Sequence, residues 1–102
     1  MKKFLVLYRS DEDAAARMAA SAPEEQQAGM QLWMEWFGRA GSAVVDAGAP
    51  LTGGDGTVGG YSILQADSSE ALADVLDGHP HTTHGGGTIE TYEFLPVPGM
   101  PA

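Results

Sequence analysis

The stretch Phe4-Leu5-Val6-Leu7-Tyr8-Arg9 decides the fold. Its residues favour β structure, and both alternating faces carry apolar groups: Phe4, Val6 and Tyr8 on one, Leu5 and Leu7 on the other. A strand apolar on both sides is covered on both sides. The charged run Arg9-Ser10-Asp11-Glu12-Asp13 stops it at once, so the short apolar start reads as a strand and not as the core of a signal peptide.

Working outward, residues 10–22 are acidic and alanine-rich and are expected to form a loop with a short helical turn. Ser21-Ala22-Pro23-Glu24 then offers a helix start, with Pro in the first turn and carboxylates at the positive end of the dipole. The helix is expected from Pro23 to Ala40, stopped by Gly41. Met30, Trp33, Met34 and Phe37 give its main stripe, with Leu32 and Trp36 beside it. That arc is wider than packing on one sheet face requires, which predicts a second neighbour.

Ala43–Ala47 reads as a second strand, followed by a glycine-rich connection from Gly48 to Gly60. Tyr61–Ala66 is a third strand. Asp67-Ser68-Ser69-Glu70 has capping-box spacing and opens a helix carrying Ala71, Leu72, Val75 and Leu76, ended by Gly78. A histidine-bearing loop leads to a fourth strand over Thr88–Phe94. The tail 95–102, with Pro96, Pro98 and Pro101, cannot continue a sheet interior.

The order is β-α-β-β-α-β, which predicts an α+β, ferredoxin-like domain spanning residues 1–102. Two right-handed crossovers place both helices on one face of a four-stranded antiparallel sheet. The other face is apolar too, and a second copy packed sheet to sheet would cover it, giving a homodimer with a barrel-like interior.

Composition excludes several classes. With 14 acidic and 5 basic residues the net charge is −9, and Lys2, Lys3, Arg9, Arg17 and Arg39 are scattered. Nucleic-acid binding needs clustered cations and is not expected. No apolar run approaches the roughly 20 residues of a membrane span. The absence of cysteine removes disulfide frameworks and thiol catalysis, and is compatible with a cytoplasmic location.

Lys3-Phe4-Leu5-Val6-Leu7-Tyr8, the Pro23-Glu24-Glu25 helix start, Trp33-Met34, Gly59-Gly60-Tyr61, the His79-Pro80 turn and the strand Thr88–Phe94 after Gly86-Gly87 resemble the YCII-related, or DGPF-domain, family. The resemblance implies a dimeric α+β barrel. It also implies an enzymatic role through a histidine on the first helix and an aspartate in the turn before the last strand, and some relatives eliminate chloride from chlorinated hydroxylated aromatics. This chain departs from that pattern. Met30 or Gln31 falls near the helix histidine's place, His79 stands at the turn aspartate's, and Asp55-Gly56-Thr57-Val58 is the nearest stretch to the namesake run.

Among candidate site residues, His79, His81 and His84 form the densest group, and imidazoles supply acid–base chemistry near neutrality. A metal site wants three or four convergent ligands, and His84 would join the other two only if the loop turned, so no metal is assigned. Asp46 is a candidate orienter for a histidine, its alternative being a turn cap. Arg9, beside Tyr8, is the candidate anchor for an anionic ligand, its alternative being an ion pair with Asp11 or Glu12. Met30, Trp33 and Met34, with Tyr61, are candidate ligand contacts, although aromatic and methionine residues at helical spacing commonly form plain core. The glycine-rich runs Gly53–Gly60 and Gly85–Gly87 lack the lysine and following helix of a phosphate loop.

These residues support a homodimeric small-molecule lyase, isomerase or hydrolase with His79 or His81 as acid–base group and no cofactor, acting on a small aromatic or polar ligand. The competing reading is a noncatalytic ligand-binding or regulatory module. Histidines turned inward and perturbed in their titration favour the first, and a helix–sheet space filled by Trp33 and Phe37 with solvated histidines favours the second.

Overall fold

A computed structural model describes residues 1–10, 20–83 and 86–99. The expected acidic loop falls mostly on residues 11–19, and this segment, His84, Gly85 and residues 100–102 lie outside the described residues. The Arg9 pairing with Asp11 or Glu12 lies outside them as well.

The elements are β1 (Lys2–Arg9), α1 (Pro23–Ala40), a 3-10 turn (Gly41–Ala43), β2 (Val44–Pro50), β3 (Val58–Ala66), α2 (Ser69–Leu76), α3 (Pro80–Thr83) and β4 (Thr88–Glu93). The strands form one antiparallel sheet in the order β2-β3-β1-β4, the ferredoxin-like arrangement. In that order β1 is central and pairs with β3 from Lys2↔Ala66 to Arg9↔Val58 and with β4 from Phe4↔Glu93 to Arg9↔Thr88. A bulge falls between Tyr8 and Arg9, so the sheet is irregular where the loops gather.

Strand alternation sorts the side chains. Phe4, Val6, Tyr8, Leu64 and Ala66 point at the helices and form the core with Trp36 and Leu72; Trp33, Phe37, Ala40, Val44, Val75 and Ile89 pack around them. Leu5, Leu7, Tyr61 and Ile63 point the other way and are half-buried, with the exposed Tyr92 beside Leu5. No helix of the described residues is long and apolar enough to cross a membrane.

Helix α1 has the expected bounds, with Pro23 at its start, Glu24 and Glu25 in the first turn and Gly41 at φ +56° closing it. Its buried face differs from the expected stripe. Trp36 is 1% exposed, whereas Met30 and Met34 are 64% and 67% exposed. The buried arc is Trp33, Trp36, Phe37 and Ala40, rotated by roughly 60° at 100° per residue. The reason is position over the sheet: residues 22–28 are all exposed, so the first turns of α1 overhang the core.

Three local readings shift. Strands β2 and β3 run further into the glycine-rich connection than expected, because irregular pairing absorbs the extra residues. The cap of α2 is Ser68, whose hydroxyl accepts the Ala71 N–H at 3.1 Å, one residue later than the capping box places it. The histidine loop contains a helix, α3, described below.

Candidate functional site

Helix α3 begins with His79-Pro80, and its geometry follows from that pair. Proline at the first helical position lacks the N–H that would go unpaired there. His79 acts as the cap: its Nδ1 accepts the His81 backbone N–H at 3.0 Å, and its carbonyl accepts the N–H groups of Thr82 and Thr83, each at 3.1 Å. The hydroxyls of Thr82 and Thr83 donate to the same carbonyl at 3.0 and 3.1 Å. A helix of four residues cannot sustain itself, so its existence depends on this cap.

The ring of His79 is fully buried. It stacks on Tyr8 with centroids 5.1 Å apart and meets Trp33 edge-on at 4.6 Å and Trp36 at 4.3 Å. Since Nδ1 accepts a hydrogen bond, the proton of the neutral ring sits on Nε2, a buried atom with no hydrogen-bond partner among the described residues. Burial, followed by the positive charges of His81 and Arg39, pushes the His79 pKa down to about 4. At neutral pH it is an uncharged donor enclosed by rings.

His81 is held differently. Its Nε2 lies 2.7 Å from the Arg9 carbonyl oxygen. A carbonyl only accepts, so Nε2 carries the proton and the lone pair of a neutral His81 sits on Nδ1. The imidazole is half-buried, 5.5 Å from the Tyr8 ring and 6.0 Å from that of Trp33. Gly87 makes room for it: a Cβ there would lie 2.3 Å from His81 Nε2 and 2.6 Å from the Arg9 oxygen. The Gly87 N–H also donates to the His81 carbonyl at 3.0 Å. This arrangement, a lone pair presented on a ring oriented through its other nitrogen, can accept a proton from a bound hydroxyl.

Tyr8 anchors the site to the sheet. Its hydroxyl donates to Ser62 Oγ at 2.9 Å, and Ser62 donates to the Ala47 carbonyl at 2.8 Å. Burial pushes the Tyr8 pKa up, partly offset by the Ser62 bond, so the phenol stays neutral.

The structure therefore gathers His79, His81, Tyr8, Trp33 and the Arg9 carbonyl at one end of β1. It does not bring Asp46 there. Asp46 pairs with Ile63 on the opposite face, where Oδ1 accepts the Gly48 N–H at 2.8 Å and Oδ2 accepts the Tyr61 hydroxyl at 3.4 Å. Tyr61 is on that far face for the same reason, the two-residue strand repeat. The Arg9 side chain also points to the far face, paired with Glu90 and donating to Thr57 Oγ1 at 2.7 Å, so its charge is already met. Met30 and Met34 project into solvent and line nothing with Trp33.

Gly87, Ser62 and the carbonyl of Arg9 escaped the sequence reading, since each acts through a contact across the fold and leaves no local signal. The His79-Pro80 cap did leave one, proline at a first helical position, but histidine is an unusual capping residue. Two shallow recesses, of about 160 and 220 Å³, share Arg39 on the outer side of α1; neither is lined by His79 or His81. No group of three or more His, Asp or Glu residues that could hold a metal occurs among the described residues.

No protein-family model matches the sequence, and a search of curated proteins finds none similar to it. Among solved structures the chain is similar to 5-chloro-2-hydroxyhydroquinone dehydrochlorinase from Burkholderia phenoliruptrix, in complex with 2,5-dihydroxybenzoquinone. The TM-score is 0.53 at 16% identity, over 86% of this chain and 90% of the other. That likeness is one of fold.

Proposed function

We propose that this chain is a small-molecule lyase, or an isomerase or hydrolase of related acid–base chemistry, built on the YCII-type fold as a homodimer, with His81 as its acid–base group. The observation that carries the reading is the engagement of His81 Nε2 by the Arg9 carbonyl, which puts the lone pair of the neutral ring on Nδ1, in an imidazole 5.5 Å from the Tyr8 ring and 6.0 Å from that of Trp33. His79, the other candidate, is closed in by rings and its Nδ1 is committed to the backbone, so it serves as support.

A planar hydroxylated ring suits the aromatic edges of Tyr8 and Trp33. Elimination of HCl from a chlorinated ring of this kind moves one hydroxyl proton to the chlorine-bearing carbon and removes a second hydroxyl proton as chloride leaves. A base that takes and returns a proton therefore suffices, and the ring ends as a quinone with no external electron acceptor. The fold-level likeness to a dehydrochlorinase supports this class. Dimerisation is supported by the apolar far face, Leu5, Leu7, Tyr61 and Ile63, against which no helix among the described residues packs.

The test is direct. Titration with 2,5-dihydroxybenzoquinone should perturb the His81 imidazole saturably, and chloride should be released from 5-chloro-2-hydroxyhydroquinone. His81→Gln should lower any turnover by about 10²-fold or more while the fold survives. Unchanged chloride release in that variant removes His81 from the role. A specific observation favours the noncatalytic module instead: the helix–sheet space is filled by Trp36, Trp33 and the His79 ring. Saturable binding without chloride release would select it.

A further inference from the structure

We infer that His79 is a positioning residue whose neutral state holds His81 in place, so that the histidine site assembles at neutral pH and comes apart in acid. The inference rests on the reading of His81 as the acting group. Its physical content is independent of any ligand.

Three observations converge. The Nδ1 of His79 is the acceptor for the His81 backbone N–H, which requires that nitrogen to be unprotonated. The ring is fully buried and its other nitrogen has no partner among the described residues, so a second proton would create a buried cation that none of them pairs with. Finally, His81 belongs to a four-residue helix that has this cap and little else to fix its start.

Burial and two nearby cationic groups oppose a charge on the ring. Tyr8 faces it from β1 with a neutral phenol, Trp33 and Trp36 from α1 with apolar rings, and Arg39 from the end of α1 with a positive charge. His81 contributes further positive charge from α3. Asp74 on α2 and Asp77 at its end line a recess they share with Trp36 and Arg39. Protonation thus repels the His81 N–H from Nδ1, releases the first turn of α3, and draws His81 Nε2 away from the Arg9 carbonyl.

The sign follows from the depressed proton affinity. His79 is neutral in the fold down to a pKa of about 4, whereas an unfolded histidine titrates near 6.5. The stability that the neutral ring contributes is fully present above the unfolded value and is lost as pH falls from there, and the cap itself opens as pH passes through the folded value.

Histidine side-chain and backbone NMR spectra of the ligand-free protein between pH 7.5 and 4 test this, with wild type compared with His79→Asn. Asparagine offers Oδ1 where histidine offers Nδ1, caps helices well and does not titrate. In wild type the His81 and Thr82 amide signals should shift together with His79 protonation, while the Leu64 and Leu72 methyl signals hold. In His79→Asn the α3 amides should follow only the His81 ring's own titration, with no second transition below it. A His81 amide indifferent to His79 protonation overturns the inference, as does the same acid transition in His79→Asn. Should 2,5-dihydroxybenzoquinone fail to bind while the amides behave as expected, the functional reading falls and the positioning role stands. Binding to His81 without the amide transition does the reverse.

Discussion

At the scale of single residues, two histidines two positions apart are given opposite tasks by their partners. In each the neutral ring carries its proton on Nε2, but His79 spends Nδ1 on a backbone N–H, whereas His81 is oriented through Nε2 by the Arg9 carbonyl. The displacement of the His79 pKa from 6.5 to about 4 corresponds to about 3 kcal/mol of folding free energy that is present above pH 6.5 and lost toward pH 4. Placement of His81 also depends on the absence of a side chain elsewhere. A methyl group on Gly87 would overlap both the imidazole and the carbonyl that orients it. Gly87→Ala should therefore expel His81 from the Arg9 carbonyl and weaken ligand binding at least tenfold with a change in stability under about 2 kcal/mol. Calorimetric titration and denaturant unfolding read the two effects. Full affinity in that variant would show that the contact with Arg9 has no part in recognition.

Among the secondary-structure elements, β2 is the one most dependent on a single position. Its pairing with β3 is irregular between Val44 and Asp46 and again between Asp46 and Ala49. Asp46 caps the second irregularity through the Gly48 N–H. Gly48 has φ +83°, and a Cβ there would fall 1.7 Å from the Tyr61 oxygen, so the strands can approach only at glycine. Gly48→Ala should cost on the order of 2–4 kcal/mol, measured by urea unfolding. A loss under half a kilocalorie would mean the edge strand relaxes freely. The neighbouring Ser62 would feel this change, since its hydroxyl joins Tyr8 to the Ala47 carbonyl in β2. Disturbance of the edge strand is thereby passed to the ring that stacks on His79.

For the whole molecule, the central fact is a sheet whose described helices all lie on one side. The far face is aliphatic and aromatic at its centre, and the Arg9–Glu90 pair there neutralises its own charge. A chain of net charge −9 repels its copies over most of its surface, so this face is where two of them can meet. Leu7 lies between Tyr61 and Glu90 at its middle. Sedimentation at micromolar concentration should give a dimer for wild type and a monomer for Leu7→Glu, because the substitution buries a carboxylate opposite its own copy. A wild-type mass of one chain would refute the proposed assembly.

The sheet, its order and the helix bounds were legible in the residues because they depend on short-range rules. Alternation in Phe4–Arg9, proline and glycine at the ends of α1, and the Ser68 region ahead of α2 all act within a few positions. The β-α-β-β-α-β order then leaves few ways to pair the strands. The site was legible only in its residue types. Periodicity put Met30 and Met34 on the buried stripe, and nothing local said that the start of α1 overhangs the sheet. Residue type made Asp46 a candidate orienter for a histidine and Tyr61 a candidate ligand contact, whereas strand register turns both to the far face. Above all, the division of labour between His79 and His81 rests on contacts with Trp36, Gly87 and the Arg9 carbonyl, which are distant in sequence. Burial and the choice of hydrogen-bond partner are properties of the packed molecule, and these two quantities set the proton position on an imidazole.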